Sequence, residues 1–151
     1  MFLPCDIIKT RRDASFQASL HEEIKRGEGK RLAKEVGVLS ERVVFLLGIS
    51  LQPGQSIYLG PSNIAHMQAR HPADYERYGQ YIEEILSFPD YVGENPTDGS
   101  IEYVKEFLIN GEFVKVAVRL SGGGALYARS LYVLNHNRVK NFIQKGTLKK
   151  V

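Results

Sequence analysis

The chain predicts an α+β fold, with N-terminal helices leading into an antiparallel sheet. Three observations carry that expectation. Apolar residues recur at helical spacing as far as Leu86, the period changes from 3.6 to 2 after Asn95, Pro96, Asp98 and Gly99, and Asn110-Gly111 is a strong hairpin signal. With 151 residues, 43% of them hydrophobic, the chain can bury a core without staples. Its single cysteine, Cys5, lacks an internal disulfide partner and a nucleophile signature. The chain opens without a secretory pattern, and its apolar runs, such as Val43 to Leu47, are far short of the roughly 20 residues a membrane span needs. A cytoplasmic protein with no membrane span is expected.

The elements follow in order. Phe16, Leu20 and Ile24 recur every four residues; Gly27 and Gly29 interrupt, and Leu32, Ala33 and Val36 resume, so the first 50 residues read as helical. Ser40 caps a short helix, ERVVFLLG, ending at Gly48. A strand over Ser56 to Leu59 follows the Pro53-Gly54 punctuation. Ser62 or Asn63 caps a helix carrying IAHMQAR, and Pro72 starts the next, which puts His71 at the joint. That second helix is expected to run from Pro72 to Leu86, with Tyr75, Tyr78, Tyr81, Ile82, Ile85 and Leu86 on one stripe facing the sheet.

A two-residue turn at Asn110-Gly111 sets Glu106 opposite Lys115, Lys105 opposite Val116 and Glu102 opposite Arg119. Lys105 then falls on the apolar face with Ile101, Tyr103, Phe107, Val114, Val116 and Val118. After the SGGGA loop, pairing Leu120 with Leu126 puts Ser130 across from Val116, so that Lys105, Val116 and Ser130 form a row with Tyr132 farther along the same face. A short helix around Val139, Phe142 and Ile143 closes the chain before Gly146.

Charge is segregated. His71 to Glu112 holds ten carboxylates against Arg77 and Lys105, whereas Phe113 to Val151 holds eight bases and no acid. An acid-free stretch of that length suits phosphate, since each Lys or Arg contact to a nucleic-acid backbone releases counterions; a solvated basic face is the plainer alternative.

The segments IYLGPSNIAHMQARHPADY, IEEILSFPDYVGENPTDGSIEYVKE, VAVRLS and LYARSLYVLN together resemble the phage-associated branch of the barnase, EndoU, colicin and RelE-like nuclease superfamily. The resemblance covers about the last two-thirds of the chain, carried by the order His, Pro-Asp at a helix end, Lys on a strand, then Arg-Ser-x-Tyr. It implies helices followed by about four strands, a helical extension over 1–55 packed on a nuclease domain over 56–151, and metal-independent RNA cleavage of the kind found in toxins and mobile elements. Carried over by residue, it points to His66 and His71 on the helical side, Lys105 on the first hairpin strand, and Ser130 with Tyr132 on the third. A counterpart of the glutamate used by barnase is not evident, and residues 1–55 carry no recognisable resemblance of their own.

RNA cleavage without a metal needs a base for the 2′-hydroxyl, cations for the phosphorane oxygens and an acid for the leaving 5′-oxygen. His66 lies four residues before Arg70 on one helical face and away from Ile64 and Met67, so both can address a backbone; an ordinary exposed histidine is the competing account. His71 can instead cap the helix at Pro72. A cation at Lys105 on an apolar face must snorkel to an edge or meet an anion such as the scissile phosphate. Arg70, Lys115, Arg119, Arg129, Arg138, Lys140 and Lys145 are the expected RNA-binding set, with Lys115 and Arg119 already supplied with carboxylates across the strands. The five-residue spacing of the histidines, one cysteine and no HExxH argue against a metal site, and no cofactor is expected. The expected activity is an endoribonuclease acting on tRNA or mRNA through a 2′,3′-cyclic phosphate, restrained by an antitoxin or immunity-type inhibitor. The alternative is a non-catalytic RNA-binding module.

Overall fold

A computed structural model describes residues 32–151; the stripe Phe16, Leu20, Ile24 lies outside them. The described chain runs β1 (Lys34–Val38), α1 (Glu41–Leu47), β2 (Ser56–Leu59), α2 (Pro61–Arg70), α3 (Pro72–Tyr78), a 3₁₀ turn (Gly79–Tyr81), α4 (Ile82–Ser87), β3 (Tyr91–Glu94), β4 (Ile101–Phe107), β5 (Glu112–Leu120), β6 (Leu126–Leu134), α5 (His136–Lys145) and β7 (Leu148–Lys150). The architecture is α+β, as expected, but the sheet has seven strands in the order β1-β2-β6-β5-β4-β3-β7 where about four were predicted. It is mixed: β2 pairs parallel with β6, and the other pairings are antiparallel.

The additional strands had weak local signals. Residues 34–38 read as helical, yet they pair with β2, Glu35 opposite Tyr58, because a few apolar positions cannot separate the two periods once a partner strand is present. Strands β3 and β7 are short and meet at Gly93 of β3, where a Cβ would stand 2.5 Å from the Thr147 carbonyl oxygen. Only a residue without a side chain lets β7 come that close.

Ser40 caps α1 as expected, its hydroxyl accepting from Val43 N at 3.2 Å. The cap of α2 is Gly60, two residues before Ser62 and three before Asn63, the expected caps. The helix expected from Pro72 to Leu86 breaks into α3, the 3₁₀ turn and α4, although Tyr78, Ile82, Ile85 and Leu86 are buried as the stripe required. These four join Met67 of α2 and Val43 of α1 against Tyr103, Val114, Val116, Val118, Ala128 and Leu131, which is the main core. On the opposite face, α5 covers only part of the sheet through Val139, Phe142 and Ile143 against Val104, Leu134 and Leu148.

Two register corrections decide where side chains point. The β4–β5 loop has four residues, Leu108 to Gly111, so Lys105 pairs with Val114, Val104 with Lys115, and Glu106 with Phe113. Asn110 does not occupy a tight turn, because its amide donates to the Tyr78 hydroxyl at 3.0 Å and ties the loop to α3. A shift of two residues preserves faces, so Lys105 stays on the helix-covered side. Between β5 and β6, however, Ala117 pairs with Ser130 and Val118 with Ala128, leaving Arg129 as an extra residue in a bulge. Val116 therefore meets Leu131 and not Ser130. The expected row of Lys105, Ser130 and Tyr132 does not exist: Ser130 and Tyr132 lie on the opposite face from Lys105.

Candidate active site

The uncovered part of the second face holds the site. β2 pairs with β6 only at Leu126 and Tyr127, so the rest of that β6 edge is open to α2 and α3. Asp74 of α3 satisfies it by accepting from Val133 N at 3.0 Å. The joint that Pro72 imposes lies at this edge, and Met67 buries into the main core while His66 turns to the other face. His66, Arg119, Arg129, Ser130, Asp98 and Ser100 there line a cavity of about 250 Å³. His71 does not cap α3 with its side chain. Its ring stacks on Tyr132, centroids 4.7 Å apart and planes 25° from parallel.

Beneath Tyr132 lies a buried charge pair. Lys115 Nζ sits 2.8 Å from Glu102 Oε2 and 4.9 Å from the Tyr132 ring centroid. Burial works against the ammonium, but the Glu102 carboxylate and the Tyr132 side chain outweigh it and hold the lysine above its ordinary range. Glu102 also accepts from Asn95 Nδ2 at 3.2 Å. At the cavity, Asp98 is pulled down to about 2 by the Ser100 backbone N–H, by Arg119 and by the Ser100 hydroxyl. Arg119 reaches it at 2.7 Å.

Thus His66, His71, Lys115, Arg119, Arg129, Ser130 and Tyr132 gather on one face, whereas Lys105 is on the other, its Nζ donating to the Phe88 carbonyl at 3.0 Å. Its cation takes a backbone partner at the edge, which is the snorkelling outcome. Arg70 is exposed on the last turn of α2, and Arg138, Lys140 and Lys145 are exposed on α5. Glu102, Asp98 and Ser100 were missed as site residues. Glu102 had been paired with Arg119 by the wrong register, and Asp98 sits in a turn 21 residues from the arginine it binds, a distance no local pattern reports.

An anion entering the cavity meets the Arg129 guanidinium, the Ser130 hydroxyl and the His66 imidazole, with Arg119 already held by the Asp98 carboxylate; such groups can bind a phosphoryl group and move a proton beside it. Among the described residues, no three His, Cys, Asp or Glu side chains are grouped to hold a metal ion, and no helix is long and apolar enough to cross a membrane.

A family model described as phage-Barnase-EndoU-ColicinE5/D-RelE like nuclease3 matches residues 34–141, well over half of the chain. No curated protein and no solved structure matches the chain.

Proposed function

The chain belongs to this phage-Barnase-EndoU-ColicinE5/D-RelE-like nuclease family, and on that premise we propose that it is a metal-independent endoribonuclease. The observation that carries the proposal is the convergence of His66, Arg119, Arg129 and Ser130 on one cavity of the open face. The scissile phosphate binds there. His66 takes the proton from the 2′-hydroxyl, whose oxygen attacks phosphorus; the bond to the 5′-oxygen breaks, leaving a 2′,3′-cyclic phosphate. His71 supplies the proton to the departing 5′-oxygen. It rests on Tyr132, two residues beyond Ser130 on the same strand face, about 7 Å away along β6. Arg119 and Arg129 stabilise the phosphorane oxygens, Ser130 orients the phosphate, and the Glu102–Lys115 pair positions Tyr132. Lys105 has no part in the chemistry.

Arg70, Arg138, Lys140 and Lys145 extend the path for RNA by contacting backbone phosphates. In this reading the protein is a toxin-type or mobile-element ribonuclease of the cytoplasm, cutting tRNA or mRNA. A protein inhibitor restrains it by presenting carboxylates to the basic face.

The test is incubation with RNA in EDTA and mapping of the new ends. Cyclic phosphate and 5′-hydroxyl ends produced by the parent protein and absent with His66→Ala support the enzyme. One observation favours the alternative, a binding module without turnover: Arg119 and Lys115 are each already held by a carboxylate. Tight, salt-sensitive binding with intact RNA would select it.

A further inference from the structure

Beside the Ser130 cavity lies a second of about 400 Å³, walled by Gly60, Ser62, Asn63, Ser121 and Tyr127. His66 and Arg129 line both, so the two are adjoining compartments. Asn63 is 8% exposed, and its Oδ1 accepts from Gly60 N at 2.8 Å. That bond fixes the amide, because a backbone N–H cannot donate to an NH₂ group. Nδ2 then has no hydrogen-bond partner among the described residues, yet it is not sealed off, so it opens into the cavity that Asn63 lines. That donor is hydrated in the open cavity and is placed to meet an acceptor on a ligand that displaces the water. The Tyr127 ring, 5.9 Å from that of Tyr58, adds an aromatic wall. Arg129, projected by the bulge, makes no ion pair among the described residues.

We propose that this compartment is a subsite for one unpaired nucleotide flanking the scissile phosphate. Its base stacks on Tyr127, a base carbonyl accepts from Asn63 Nδ2, and Arg129 holds the connecting phosphate. The cavity has the size of a small-ligand pocket, and bases splayed from single strands onto aromatic side chains are the usual targets of sequence-reading RNA sites. A base locked in a duplex could not enter. The inference rests on the ribonuclease reading and adds to it a preference for single strands and for carbonyl-bearing bases.

The experiment measures binding of a non-cleavable 2′-fluoro oligouridine by fluorescence anisotropy, beside copies in which one abasic position is scanned along the strand. One abasic position should weaken binding to the parent on the order of tenfold, the worth of one stacked base. Asn63→Asp keeps the acceptor for Gly60 N, so α2 keeps its cap, and it removes the Nδ2 donor; Tyr127→Leu removes the ring. Each should reduce the intact-to-abasic affinity ratio severalfold or more, and using the ratio cancels the charge that aspartate adds. An unchanged ratio in both variants, or a parent that binds intact and abasic strands alike while still cutting RNA, overturns the subsite and leaves the nuclease standing. A parent that neither binds nor cuts RNA overturns both.

Discussion

Deleting the ammonium of Lys115 is expected to destabilise the protein severely while leaving a route to rescue. Lys115 and Glu102 are 9% and 10% exposed in their side chains and 2.8 Å apart, so neither charge is well hydrated. Removing one partner of such a pair strands the other and costs about 3–5 kcal/mol. Lys115→Met keeps the unbranched stem and leaves Glu102 with Asn95 Nδ2 at 3.2 Å, a neutral donor that offsets part of the loss, so about 3 kcal/mol is expected. At a urea dependence of about 1–3 kcal/mol per molar, the midpoint falls by roughly 1–3 M. Unfolding is followed by far-ultraviolet circular dichroism, since the chain has eight tyrosines and no tryptophan. The double variant Lys115→Met/Glu102→Leu removes both charges and should recover most of the lost stability. The pH dependence has a definite sign. The folded lysine is held above its ordinary 10.5, so the pair's contribution is complete below that value and is lost only as pH rises past it. A cost under about 1 kcal/mol for the single variant, or a double variant as unstable as the two singles combined, would refute the account of a mutually dependent buried pair.

Three further outcomes are expected. His66→Ala should lower RNA cleavage by about 10² to 10⁴ with little change in stability, since the residue is exposed, while Lys105→Met should cleave at the parent rate; single-turnover assays on both test which face carries the chemistry. Asp98 is held at about 2, below its unfolded 3.8, so its contribution to stability is present above about pH 4 and lost as pH falls towards 2. Denaturation midpoints across that window should flatten in Asp98→Asn, and a parent-like acid limb would show that Asp98 is not its source. Neutralising Arg138, Lys140 and Lys145 together should make the dependence of log affinity on log salt shallower, by roughly 0.7 for each phosphate that the variant no longer neutralises; an unchanged slope assigns the three to solubility.

The sequence was most informative where physics is local. Ser40 and Gly48 bounded α1, Pro72 placed the joint at His71, and the alternation of β4 and β5, and of β6 as far as its bulge, was visible residue by residue. Charge segregation marked the C-terminal third, and the ordered motifs pointed to the nuclease family whose model spans residues 34–141. The resemblance also named His66, His71, Ser130 and Tyr132, which do share one face, although their catalytic roles rest on the proposal above.

Long-range terms decided the rest. Whether residues 34–38 are helix or strand depends on β2, 21 residues onward, and whether β7 exists depends on the bare Cα of Gly93. The site itself turned on one inserted residue. Strand side chains alternate with a period of two, so the four-residue Asn110 loop moved partners without moving faces, whereas the single extra residue at Arg129 exchanged Ser130 for Leu131 opposite Val116. That bulge separates Lys105 from the site and brings Arg129 beside His66. The chain by itself determined the α+β class, the helix joint, the faces of the first hairpin and the family. Only the tertiary structure determined that the cation under Tyr132 is Lys115, because one-dimensional alternation carries no record of a bulge and no record of which distant carboxylate will compensate a buried charge.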